Sequence, residues 1–426
     1  MRILIVSPYL PWPLTSGGNA AQFSTLRCLC DDHAFVLVCP VYSLADRDHA
    51  RVLAESLPRV SVKAVFCGSP PPPLESYPAR LLRATRNWIR GKPRSPAPPS
   101  APPLALPWYP FHPLPPPLVE ALAAELARRP DLVQCEFAET MPLGAWLPKG
   151  MPRVLVHHQI HHVYARRFLE AHGTTPYGDY LVAIMKVQEI AYLRTFDAIV
   201  TFSEIDRETL AVDFPIEHIH CSPFPVPVDV GIADAVDPRF DGRFVFVGSE
   251  THRPNADALS WLLEEIWPEI AAHLPDATLE VVGEWGDNWS TDRRGGRISF
   301  SGFTADLGAA LRHAILLVPL RIGSGIRTKI LAAWAQGAPV VTTPVGAEGL
   351  LAADDREILV REDAPALAAA AVRLAQDSEL RRRLAAAGLA LVTRCYSPAE
   401  VRRRRNEIYR AVVAGCHSLA PSNPLE

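Results

Sequence analysis

The sequence predicts an α/β protein built from two doubly wound parallel sheets of similar size, facing each other across a cleft. Three observations lead there. Short apolar runs without period alternate with helical stretches along the chain, as buried parallel strands and their crossover helices do. The alternation stops between Phe224 and Asp241, in a stretch rich in Pro, Asp and Gly, and then restarts. A chain of 426 residues has room for two such units of ordinary domain size.

In order, Arg2–Ser7 reads as the first strand, followed by a Pro/Gly loop and a helical pattern over Asn19–Cys30. Phe35–Cys39, Val60–Phe66, Leu132–Cys135, Arg153–Val156, Ala198–Phe202 and His218–Cys221 complete the first set of strands. Past the interruption, strands are expected at Phe244–Val247, Thr278–Val282, Ile298–Phe300, Ile315–Pro319, Pro339–Thr342 and Ile358–Val360. Helices are expected at Asn255–Ala272, Thr304–His313, Ile326–Gln336, Pro365–Gln376 and Ser378–Thr393, with a long Arg-rich one over Ser397–Val413. The domains follow as 1–230, 231–396 and a terminal segment 397–426. Seventeen of the 42 prolines fall in 70–117, which reads as a surface excursion of the first domain with one helix over Pro78–Arg90.

Composition excludes several classes. A net charge of −3 gives no global attraction for nucleic acid, and no apolar run is long enough to span a membrane. The start, Met1–Pro8, is broken too early by proline for a secretory signal. Eight cysteines with no Cys-x-x-Cys pair read as buried free thiols in a reducing cytoplasm.

Two loops carry candidate chemistry. After the first strand, Ser16-Gly17-Gly18-Asn19 lets backbone N–H groups and a helix N-terminus approach a phosphate; the alternative is a tight turn. In the second half, Gly323-Ser324-Gly325-Ile326-Arg327-Thr328-Lys329 places two glycines, a hydroxyl and two cations where a strand gives way to a helix. Cations are disfavoured at a helix N-terminus unless an anion sits opposite, and a diphosphate would satisfy both. Val345–Gly349 forms another loop beyond a strand on the same side of the sheet. The run His157-His-Gln-Ile-His-His162 has spacing that admits a metal, but the strand before it places His157 at a strand end and favours an active-site loop without metal.

Taken in order, Phe244-Val-Phe-Val-Gly-Ser, Arg253-Pro-Asn, Val281-Val-Gly283, Phe300-Ser-Gly-Phe303, Val318 through Leu331, Ala335 through Thr343 and Val345 through Leu350 resemble the nucleotide-sugar domain of the family 4 glycosyltransferases. The resemblance covers Arg243 to Ser397. The first half matches more loosely, through Ser7–Gly18, Gln134–Phe137 and Val156–Ile160. It implies the GT-B fold, a retaining transfer without metal or cofactor, and a terminal helix that crosses back to the first domain. It further implies that Gly17 and Gly18 approach the donor diphosphate, and that Arg327 and Lys329, with Arg253, neutralise it beside Ser324 and Gly325. His158 would face the donor sugar, Glu348 and Gly349 would meet sugar and phosphate oxygens, and Phe303 would lie near the base. Where the family carries two glutamates eight residues apart, this chain has Ser324 and Ala332.

The expected reaction is therefore transfer of a hexosyl unit from a UDP- or GDP-linked sugar to a saccharide or lipid-linked acceptor. The alternatives are a catalytically silent protein of this fold partnering an active transferase, or an enzyme using another activated donor. The segment 80–94, with six cations and no acid, suggests peripheral contact with the inner face of the membrane; its alternative is a solvated helix packed through Leu and Trp. Arg402–Arg405 reads as a solvated face.

Overall fold

The computed structural model describes residues 1–14, 16–68, 109–228, 230–237, 239–286, 289, 297–304, 306–323 and 325–418, without the side chains of 171, 172 and 416–418. The segment 80–94, the helix expected over Pro78–Arg90 and Ser324 lie outside these residues.

Thirteen strands among them form two sheets. The first contains β1 (Arg2–Val6), β2 (Ala34–Val41), β3 (Val60–Phe66), β4 (Leu132–Glu136), β5 (Arg153–His157), β6 (Ala198–Thr201) and β7 (Ile219–Cys221). Their spatial order is β3-β2-β1-β4-β5-β6-β7, and every pairing is parallel. The second contains β8 (Arg243–Val247), β9 (Thr278–Val282), β10 (Ile298–Gly302), β11 (Ile315–Val318), β12 (Val340–Thr342) and β13 (Leu359–Val360). Its order is β10-β9-β8-β11-β12-β13, again all parallel. The unpatterned apolar runs are explained by helices covering both faces: Ile3–Val6 and Phe244–Phe246 are at most 1% exposed.

Each sheet reverses its winding once, between β1 and β4 and between β8 and β11. At such a switch point the connections leave in opposite directions, and a crevice opens beyond the carboxyl ends of the strands. The loops singled out in the sequence, 7–18 after β1 and 319–327 after β11, both leave from these points.

The helix expected over Asn255–Ala272 is present as one helical run from Arg253 to His273, with a π-type turn at Leu262–Ile266 within it. Pro268 has no N–H for the regular ladder, and the wider turn absorbs the mismatch. The run Arg402–Arg405 is not a solvated face. Arg403 is exposed, but Arg405 is fully buried, because it falls on the same side of the helix Pro398–Ser418 as Val401, Ile408 and Val412. That helix packs against the helix Gly17–Leu29 of the first domain, as expected of a crossing helix. Arg402 and Asn406 both bind the Asp32 carboxylate, which fixes its register.

The seven described cysteines are free. Burial pushes the thiols of Cys39 and Cys135 up to about 12, so they act as packing groups. No helix among the described residues is long and apolar enough to cross a membrane.

Candidate active site

The helix Gly17–Leu29 begins with Ser16 as its cap, whose hydroxyl accepts from the Asn19 N–H. Gly17 then faces the other domain: a Cβ there would stand 3.2 Å from Thr328 Oγ1, the first residue of the helix Thr328–Ala335. Two helix N-termini therefore meet across the cleft, each bringing the partial positive charge of its free N–H groups. A Cβ on Gly18 would stand 3.0 Å from the Phe137 ring, and one on Gly325 would stand 3.2 Å from the backbone oxygen of His158. Gly323, Gly325 and Gly349 have positive φ, which lets the loops bend into these contacts.

His158 follows the end of β5. Its ring stacks on Phe137 at 3.7 Å and 16°, and meets Phe202 edge-on at 5.0 Å. Its Nε2 lies 2.6 Å from Glu136 Oε2. Phe137 has φ +66°, a strained value for a bulky residue, and this turns its ring onto the imidazole.

The cations stand at the second switch point. Arg327 caps the helix Thr328–Ala335 and donates to the oxygens of Gly325 (2.9 Å) and Val345 (3.1 Å). Lys329 donates to Val247 O at the end of β8 and to Asn255 Oδ1 at 2.9 Å, with its ammonium 5.3 Å from the Phe246 ring centre. Removal from water, followed by the charge of Arg327, pushes Lys329 down to about 7. Burial likewise pushes Arg327 down to about 10. Two cations thus sit close together with their charge poorly solvated, the condition under which an anionic ligand binds well.

Glu348 is partly buried and paired. Arg167, from the helix His161–His172, grips its carboxylate with both terminal nitrogens and also donates to Gly323 O at 2.7 Å. Gly349 lies against Ser203: a Cβ placed on the glycine would stand 2.9 Å from the serine Cβ. Arg253 opens the helix Arg253–Trp261 and is exposed, with its guanidinium 5.7 Å from the Phe168 ring centre of the first domain. Phe303 is not gathered with the rest: it follows the edge strand β10 and is 52% exposed. Ala332 is fully buried within its helix.

The four histidines divide their roles. His157 ends β5, as its position after a strand implied, and His161 starts the next helix. Glu189, itself fully buried, binds His157 Nε2 (2.9 Å), His162 Nδ1 (2.6 Å) and the N–H groups of His161 and His162. It acts as the cap that Ile160 cannot supply. Burial works to raise this carboxyl's pKa, but the bonds from His157 and His162 outweigh it and hold it well below the usual range.

Sequence reasoning missed Arg167, Glu136, Glu189 and Asn255 as parts of the site. Alternation within β4 puts Gln134 and Glu136 on one face, which was a legible signal. Arg167 carries none, since its partners lie 156 and 181 residues away.

Two parallel α/β sheets whose switch points face each other across a cleft define the GT-B fold. Residues 241–377 match the family model described as glycosyl transferases group 1. Among solved structures, it is similar to sucrose-phosphate synthase from Thermosynechococcus elongatus, with TM-score 0.68 and 15% identity over 97% of this chain and 99% of that one. It is also similar to TarM from S. aureus, solved as a mutant with Fondaparinux, alpha-GlcNAc-glycerol and UDP (TM-score 0.65, 10% identity, 96% and 99% covered). HepE from Anabaena, solved with UDP and glucose, matches with TM-score 0.61 and 12% identity over 96% and 100% of the two chains. At these identities the likeness establishes the fold. No curated protein matches the chain by sequence.

Proposed function

We propose that the protein transfers a hexosyl unit from a UDP-linked sugar to the hydroxyl of a saccharide or lipid-linked acceptor, with retention and without a metal, in the cytoplasm. The observation that carries this reading is the meeting of Gly17 with Thr328 across the cleft, which aims two helix N-termini at one place beside Arg327 and Lys329. A diphosphate there would be held by backbone N–H groups and both cations. As the glycosidic bond breaks, charge accumulates on the departing diphosphate, so fixed positive charge acts on the transition state more than on the ground state. His158, held by Glu136 and Phe137, would face the sugar. The UDP in the solved relatives HepE and TarM supports the choice of base.

Nucleotide binding comes first in the test: a thermal-shift panel of UDP, GDP, ADP, CDP and TDP, with and without magnesium. A shift with UDP that needs no magnesium is expected. Arg327→Ala and Lys329→Ala are then expected to abolish transfer while the fold survives; wild-type rates in both would end the diphosphate assignment. Ala332 favours a second reading, a catalytically silent partner of an active transferase, because alanine offers no acceptor to ribose hydroxyls. Silence across the whole panel on folded protein would select it.

A further inference from the structure

The helix that crosses back from the second domain does more than tie the two halves together. Tyr409, on its buried side and fully enclosed, places its hydroxyl 2.5 Å from Gln134 Oε1. Gln134 Nε2 in turn lies 2.5 Å from Glu136 Oε1, and Glu136 Oε2 lies 2.6 Å from His158 Nε2. Gln134 and Glu136 are 2% and 3% exposed, so water does not compete for these bonds.

We propose that Tyr409 is a positioning residue for His158, acting through the chain Tyr409–Gln134–Glu136–His158. The chain has a direction. An ionised carboxylate only accepts, so both the Gln134 amide and the His158 ring donate to Glu136. Glu136, which can only accept, holds the Gln134 amide nitrogen toward itself, and the amide oxygen on the other side accepts the Tyr409 hydroxyl and is anchored by it. Turned over, it would set a carbonyl oxygen against the carboxylate. With its orientation held, Glu136 accepts from His158 Nε2–H and so fixes which edge of the ring it holds. Phe137 and Phe202 hold the ring plane. The four members come from three parts of the fold: β4 gives Gln134 and Glu136, the residue after β5 gives His158, and the last helix gives Tyr409, 275 residues after Gln134. The bonds from Arg402 and Asn406 to Asp32, and the packing of Tyr409 on His33 at 5.6 Å, set the rotation of the helix that brings the hydroxyl into line.

The role of His158 rests on the function proposed above, so the experiment reads the imidazole directly as well as turnover. In protein labelled with ¹⁵N-histidine, the His158 ring signals are assigned by their loss in His158→Gln. Tyr409→Phe keeps ring volume and removes one hydroxyl. It is expected to displace the His158 Nε2 and Nε2–H signals, whereas Arg403→Ala, on the exposed side of the same helix, leaves them in place. In turnover, Tyr409→Phe is expected to lower kcat about five- to tenfold, the worth of one buried neutral hydrogen bond, with donor KM unchanged. In a Glu136→Gln background the same change should cost little more, since the chain is already broken. Gln134→Met interrupts the chain at its middle and should reproduce both effects if Tyr409→Phe folds poorly. Unmoved His158 signals in a folded variant, or losses that simply multiply with those of Glu136→Gln, would overturn the inference. A wild type that binds nucleotide but transfers nothing would count against the proposed function, and the ring signals would still decide the chain.

Discussion

Lys329 offers the sharpest quantitative test of the site, because its charge state is set by the structure and read by a ligand. Its ammonium is held between Val247 O and Asn255 Oδ1, next to Arg327, and titrates at about 7 in place of the ordinary lysine value of 10.5. An ammonium has three N–H donors, so one remains for an anion after those two contacts. A bound diphosphate favours the charged form and raises this pKa; binding above pH 7 must therefore take up a proton. The protonated fraction falls from about one half at pH 7 to about one tenth at pH 8 and one hundredth at pH 9, so affinity for UDP should fall by up to about tenfold per pH unit above 7. The fall ends where the pH passes the raised pKa of the complex. Above pH 7.5 the nucleotide's own phosphate is fully ionised and contributes no further change. Isothermal titration at pH 7.5 to 9.0, in buffers of different ionisation enthalpy, measures both the affinity and the proton uptake. Lys329→Arg carries a charge that persists across this range, and should flatten the profile even if it binds less tightly. A wild-type affinity that is level from pH 7.5 to 9.0, with no proton uptake, would refute the placement of Lys329 against the diphosphate.

Two further outcomes test the scaffold around the site. Gly349→Ala puts a side chain at φ +78° and 2.9 Å from Ser203, and should destabilise the protein by about 1–3 kcal/mol, read as a lower thermal midpoint with weakened donor binding. Glu189→Gln removes a buried carboxylate from two histidines and a helix N-terminus, and should cost about 3 kcal/mol at neutral pH. The sign with pH follows from the lowered carboxyl pKa: the wild type keeps the Glu189 contribution above the usual value of 4.5 and loses it as pH falls toward the lower folded value. Denaturant titrations at pH 7 and pH 4 should therefore show the gap between wild type and variant narrowing on acidification, and a constant gap would refute the assignment.

The loops 16–19 and 323–329 were legible as helix starts at strand ends because glycines there, joined in the second loop by two cations, are local signals. Strand positions were legible for a similar reason, since a strand buried on both faces must be apolar along its whole length. Three things were not. The π-type turn at Leu262–Ile266 depends on how Pro268 is accommodated within a packed helix, which helical periodicity does not record. The burial of Arg405 goes against residue type, and only the facing surface of the first domain shows which side of that helix is covered. The partners of Glu348 and His158 come from remote parts of the chain: Arg167 lies 181 residues before Glu348, and Tyr409 reaches the Glu136 side through Gln134.

The sequence by itself determined the two α/β units and where the glycine loops and the cations fall along them, because each follows from periodicity or from the chemistry of neighbouring residues. Only the tertiary structure decided that Gly17 meets Thr328, that Arg167 occupies Glu348, and that a tyrosine of the last helix stands behind His158. These are contacts between segments whose separation along the chain carries no information about distance. Side-chain packing alone selects which of them form.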